Sequence, residues 1–133
     1  MLLVKTKIAP SKIHGIGLFA DQFISKGTIV WKFVPGFDMK FTQEEIETLP
    51  QTAREFLSTY DYVSNRTGYH VLCIDNARFY NHSKTPNTTD IELEGTDEEG
   101  GDVAVRDIQV GEEITYDYEM GDADFQQKLN QKK

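Results

Sequence analysis

Cysteine is almost absent: Cys73 is the only one in 133 residues. One thiol excludes an intramolecular disulfide framework and any cysteine-rich zinc cluster. Basic residues are also scarce, with 14 Lys and Arg against 22 Asp and Glu and a formal net charge of -8. Nucleic-acid binding without sequence preference needs Lys and Arg to displace counterions from phosphates, so direct nucleic-acid binding is not expected. No run approaches the ~20 apolar residues of a membrane span. The start, Met1-Leu2-Leu3-Val4-Lys5-Thr6-Lys7, turns polar too soon for a secretory signal. The sequons beginning at Asn65, Asn81 and Asn87 are therefore read as accidents of composition. An intracellular, cytoplasmic location is the default expectation, although a nuclear or host-exported protein would carry the same features.

What is present is ordinary globular composition, 38% hydrophobic and 27% charged. The length fits one domain, expected over residues 1–133, without repeats or linkers. Leu2 to Ile8 alternates as a half-buried strand does, and Thr28 to Val34 is β-rich. Thr42 and Glu45 form a capping box for a helix that stops near Leu49, before Pro50. A second helix, Gln51 to about Tyr60, places Ala53, Phe56, Leu57 and Tyr60 on one face. Asn65-Arg66-Thr67-Gly68 is a hairpin turn between Tyr62-Val63 and Tyr69-Ile74. Further strands are expected at Thr89–Glu94, Asp102–Arg106 and Ile114–Tyr118. The whole is a β-rich α+β unit.

Single motifs are weak. Gly15-Ile16-Gly17 lacks the third glycine of a dinucleotide fold and by itself marks a tight turn. His14, His70, His82 and Cys73 contain only one close pair, so no metal site is expected. Asp97-Glu98-Glu99 with Asp102 fails the spacing of a calcium loop and is read as a solvated acidic loop. No Gly-x-Ser-x-Gly elbow occurs.

Three segments change this when taken in order: Lys12-Ile13-His14-Gly15-Ile16-Gly17-Leu18-Phe19-Ala20, Ala77-Arg78-Phe79-Tyr80-Asn81-His82-Ser83-Lys84-Thr85-Pro86-Asn87 and Gly111-Glu112-Glu113-Ile114-Thr115-Tyr116-Asp117-Tyr118. Their order and spacing resemble the SET domain, the fold of most protein-lysine methyltransferases. The resemblance spans residues 11–118. It implies a β-clip fold of several small sheets with a C-terminal pseudoknot that brings Asn81 and His82 beside Tyr118. Residues 38–62 would be the variable insert forming one wall of a peptide groove, and 119–133 the C-terminal tail.

The resemblance further implies methyl transfer from S-adenosyl-L-methionine to a lysine ε-amine. His14, Gly15, Ile16 and Gly17 would hold the methionine end of that cofactor, since glycine lets backbone come close. Asn81 and His82 would read the adenine, with Asn81 also reaching the methionine end. Tyr118 stands at the catalytic tyrosine position and also borders the cofactor. Tyr116 stands where the family carries Phe or Tyr; Tyr there leaves less room for added methyls, so mono- or dimethylation is expected. Tyr60, or Tyr62 if the alignment slips by two, would be a further active-site tyrosine. Tyr60, Tyr62, Tyr80, Tyr116, Tyr118 and Phe125 supply an aromatic wall that would help keep the attacking lysine neutral.

The chain departs from the family at Ile16, usually Trp, and at Lys84, often Cys in nuclear members. Without flanking zinc clusters it is similar to the short stand-alone SET proteins of viruses and bacteria. Phe125 would then close the channel, or a homodimer would. Asp38, Glu44, Glu45, Glu47, Asp117 and Asp122 would suit a basic protein or peptide substrate such as a histone tail. The other reading is a SET-like module that binds a basic partner without catalysis, and Ile16 and the missing zinc closure are what favour it.

Overall fold

The computed structural model describes residues 1–121; Asp122 and Phe125, with the rest of the tail, lie outside the described residues. Strand β1 (Thr6–Pro10) pairs antiparallel with β2 (Ile16–Ala20). Their connection turns on Gly15, whose φ of 46° lies in the left-handed region that glycine adopts at little cost. Ser11 locks the turn, its hydroxyl accepting the backbone N–H groups of Ile13 and His14.

Strand β3 (Ile29–Lys32) leads through Pro35 and Gly36 into β4 (Met39–Phe41). Helix α1 (Gln43–Glu47) starts at the expected capping box: Thr42 and Glu45 satisfy each other's backbone N–H groups. Helix α2 (Gln51–Tyr60) follows Pro50 directly. Of its expected apolar face only Leu57 is fully buried, and Phe56 remains 45% exposed. Strands β5 (Tyr62–Val63) and β6 (His70–Leu72) form the expected hairpin, and β4 completes that sheet on the other edge of β6.

A single turn of 3-10 helix, Asn76–Phe79, is capped by Asp75 and delivers the chain into β7 (Asn81–His82). Strands β8 (Thr88–Ile91) and β9 (Gly101–Ala104) join β3 in a second three-stranded sheet, ordered β3-β9-β8. The last strand, β10 (Thr115–Tyr116), lies parallel to β7, and Tyr118 opens the short helix α3 (Tyr118–Gly121). The described residues thus carry four small sheets of two or three strands.

The sheets share one core in which Leu18, Ile24, Val30, Phe33, Val71, Ile108 and Ile114 are each no more than 1% exposed. Burying one such side chain stabilises by ~1.5–3 kcal/mol, and Leu18→Ala would cost ~2–5 kcal/mol because a cavity adds to the lost transfer energy. No helix among the described residues is long and apolar enough to cross a membrane.

Three expectations shift. The alternating stretch Leu2–Ile8 is not one strand: Leu2 bridges Trp31 and Leu3 donates to the Val30 carbonyl, whereas β1 begins at Thr6. Alternation reports a half-buried face but not a change of partner. The strand expected over Ile114–Tyr118 shrinks to Thr115–Tyr116, because Asp117 accepts the Glu119 N–H and turns the chain into α3. Asp38 does not line a groove: it is 5% exposed, paired with the terminal ammonium at 2.8 Å and accepting the Val34 N–H.

Candidate functional site

Asn81 occupies the junction of three segments. Its side-chain amide donates toward the carbonyls of His14 at 3.1 Å and Ile16 at 3.3 Å and toward Glu113 Oε2 at 2.9 Å. Parallel pairing of β7 with β10 holds Asn81 there, with Thr115 opposite it and Tyr116 opposite His82. Glu113 is fixed from its other side, since Ser11 donates to Oε1 at 2.7 Å. His14, Gly15, Ile16, Gly17, Asn81 and His82 are therefore gathered at one end of the molecule.

This end offers a test of fit for the implied cofactor. An amide nitrogen has two hydrogens, and Asn81 faces three acceptors. The surplus acceptor capacity suits an ammonium group such as the amino-acid end of S-adenosylmethionine carries. Ile16 is 49% exposed, so the turn presents its outer surface to solvent. The donor and acceptor set fits the group.

Tyr118 lies on the other side of the same junction. Its backbone N–H donates to His82 Nδ1 at 3.0 Å, and its hydroxyl donates to the Tyr80 carbonyl at 3.0 Å. The ring is 2% exposed. Tyr116 bridges Tyr118 and Tyr80, with ring centroids 4.8 Å and 5.2 Å away. Beside them opens a cavity of about 220 Å³, lined also by Tyr60 and Tyr62. Tyr60 enters from the end of α2, tilted against Phe56 and edge-on to Phe79. Burial pushes the hydroxyls of Tyr62 and Tyr80 and the thiol of Cys73 well above their ordinary pKa values. All three are thus kept neutral, and the Cys73 thiol is inert as a nucleophile.

The structure brings together residues that had no assigned task in the sequence. Glu113 and Ser11 belong to the quoted motifs or border them, yet only the fold shows them clamping Asn81 to the glycine turn. A Cβ on Gly17 would stand 2.5 Å from Glu113 Oε2, so this glycine exists for the carboxylate. Asn87, 1% exposed, donates to the Glu113 carbonyl at 2.8 Å and accepts the Thr115 N–H at 2.9 Å, holding β10 in place. The acidic loop is also not wholly solvated: Glu99 is 4% exposed and Asp102 borders the cavity. The spacing of acidic residues carried no signal of either.

Residues 15–119 match the SET domain family. The chain is a SET-domain protein. Its similarity to human histone-lysine N-methyltransferase 2D is 30% identity over 128 residues, 92% of this chain but 2% of that protein. Similarity to the Drosophila melanogaster histone-lysine N-methyltransferase trr is 30% over 135 residues, 92% of this chain and 5% of that one. The chain thus spans a small part of the curated relatives that it matches. Among solved structures, the SET domain here is similar to a Plasmodium falciparum protein named as a candidate histone methyltransferase, with a TM-score of 0.57, 23% identity, and coverage of 88% of this chain and 95% of that one. It is also similar to a humanized mutant of the Chaetomium thermophilum Polycomb Repressive Complex 2, with a TM-score of 0.65, 19% identity, and coverage of 93% and 16%. These likenesses agree with the small-sheet architecture expected from the three motifs.

Proposed function

We propose that this SET domain transfers a methyl group from S-adenosylmethionine to a lysine ε-amine of a basic protein segment. The observation that carries the reading is Tyr118, pinned through His82 on one side and Tyr80 on the other, between the Asn81 junction and an aromatic cavity. When bound, the cofactor supplies an electrophilic methyl group on a sulfonium.

Each remaining task falls to residues of the chain. Asn81 and the carbonyls of His14 and Ile16 hold the cofactor's amino-acid end, and His82 sits toward its base. The Tyr118 hydroxyl donates its hydrogen bond to the Tyr80 carbonyl, so its oxygen keeps acceptor capacity for weak C–H contacts, worth about 0.5–1 kcal/mol each. Holding the two reactants in line supplies more than any such contact. The rings of Tyr60, Tyr62, Tyr80 and Tyr116 exclude water around the amine and so favour its neutral, attacking form. Tyr116 in place of Phe narrows the channel, and mono- or dimethylation is the expected product by mass spectrometry; efficient trimethylation would contradict it.

Calorimetric titration with S-adenosylmethionine and its demethylated product is the deciding experiment, followed by radiolabel transfer onto histones and cell lysates. Binding with Tyr118-dependent transfer supports the reading. Absence of binding to either compound would leave a SET-fold module that engages a basic partner without catalysis.

A further inference from the structure

Beyond the Tyr116–Tyr118 pair the cavity changes character. Tyr80 packs edge-on against Tyr116, and past it the lining includes Trp31, Glu99 and Asp102. Two buried polar atoms there lack a hydrogen-bond partner: Trp31 Nε1 and Glu99 Oε1. Such atoms are costly when left unpaired.

The acids are only partly neutralised. On β9, Asp102 stands directly opposite Asp90 of β8 and Trp31 of β3, and like charges facing each other across strands repel. Arg66 relieves Asp90 at 2.6 Å, and Lys40 sits 3.2 Å from Glu99 Oε2. Among the described residues the Asp102 carboxylate has neither an ion pair nor a hydrogen bond. The cavity therefore holds one carboxyl without a counter-ion, a second carboxylate with a spare oxygen, and the unpaired indole N–H of Trp31.

We propose that this end of the cavity is a cation subsite, in which Asp102 and Glu99 receive the protonated amine or guanidinium of a substrate side chain. Its place in substrate recognition rests on the methyl-transfer reading above, but its binding chemistry does not. The cation is either the acceptor lysine as it arrives charged or a neighbouring Lys or Arg of the same segment.

Trp31 is the only tryptophan of the chain, so its indole N–H resonance is an unambiguous reporter inside the cavity. Titration with n-butylammonium at about pH 8.5, where Asp102 is ionised, is expected to shift it, and the neutral isostere n-butanol to do so at least about tenfold more weakly, since a charge-assisted contact is lost. Asp102→Asn is expected to weaken the amine by a similar factor, with Glu99→Gln as the second variant should the first fail to fold. Equal response to amine and alcohol, or unchanged amine binding in both variants, would overturn the proposal. Two acetylated, amidated peptides separate the sources. Asp102-dependent binding of Gly-Gly-Lys-Gly-Gly points to the acceptor lysine; dependence only with Gly-Arg-Lys-Gly-Gly points to its neighbour. Cofactor calorimetry tests the methyl-transfer reading independently of these titrations.

Discussion

The imidazole of His82 accepts the backbone N–H of Tyr118 at 3.0 Å. Residues 36 positions apart are thereby fixed to each other, and the segment proposed to meet the cofactor cannot shift without moving the tyrosine proposed to align the methyl group. The same Nδ1 lies 3.5 Å from Asp117, which would favour a proton on it. The shorter main-chain contact, at 3.0 Å, requires the opposite.

The tautomer of His82 follows from this competition. With Nδ1 as acceptor the proton resides on Nε2, and nitrogen-15 chemical shifts at neutral pH should show Nδ1 unprotonated. A protonated Nδ1 would mean that Asp117 holds the ring instead.

Gly17 and Gly15 should respond differently to alanine. Gly17→Ala drives a Cβ against Glu113 and Ser11, costs ~1–3 kcal/mol by overpacking, and loosens the clamp on Asn81. Glu113→Asp in the same chain shortens the carboxylate and should restore part of the loss, a coupling that a double-mutant cycle in urea measures. Gly15→Ala meets no atom within 4 Å and suffers only its positive φ, ~1–2 kcal/mol, which Glu113→Asp should not relieve.

Tyr118→Phe separates stability from chemistry. Loss of the hydroxyl removes one hydrogen bond to the Tyr80 carbonyl, worth ~1 kcal/mol. Thermal unfolding should therefore change little, while methyl transfer falls by about two orders of magnitude or more if alignment supplies several kcal/mol.

Asp102 makes stability depend on pH. Burial first and the charge of Asp90 second push its carboxyl from 3.8 up to about 7, opposed by the terminal ammonium. Above pH 7 the group is ionised in both folded and unfolded chains, and the folded state bears the full penalty. As pH falls from about 7 toward 4 the folded chain takes up a proton that the unfolded chain does not, so this group's contribution rises through that window. Asp102→Asn should thus raise the melting temperature at pH 8, by about 4 °C for a gain of about 1 kcal/mol, and change it little at pH 4. Equal shifts at both pH values would show that Asp102 is not charged at pH 8.

The sequence by itself determined the elements built from neighbouring residues. Thr42 and Glu45 cap α1 because their spacing matches one helical turn, and the Asn65–Gly68 turn brings β5 to β6 for similarly local reasons. The three glycine- and tyrosine-bearing motifs were legible as a family pattern, and with them Asn81, His82, Tyr116 and Tyr118. Tertiary structure decided what depends on partners far along the chain. Asn81 reaches the His14 carbonyl across 67 positions and Ser11 reaches Glu113 across 102; no periodicity encodes such contacts. Asp102 looked like part of a solvated acidic loop until β9 set it between Trp31 and Asp90. A residue's type states which bonds it can make, but only the packed sheets decide whether its charge meets water, a counter-ion or an empty cavity.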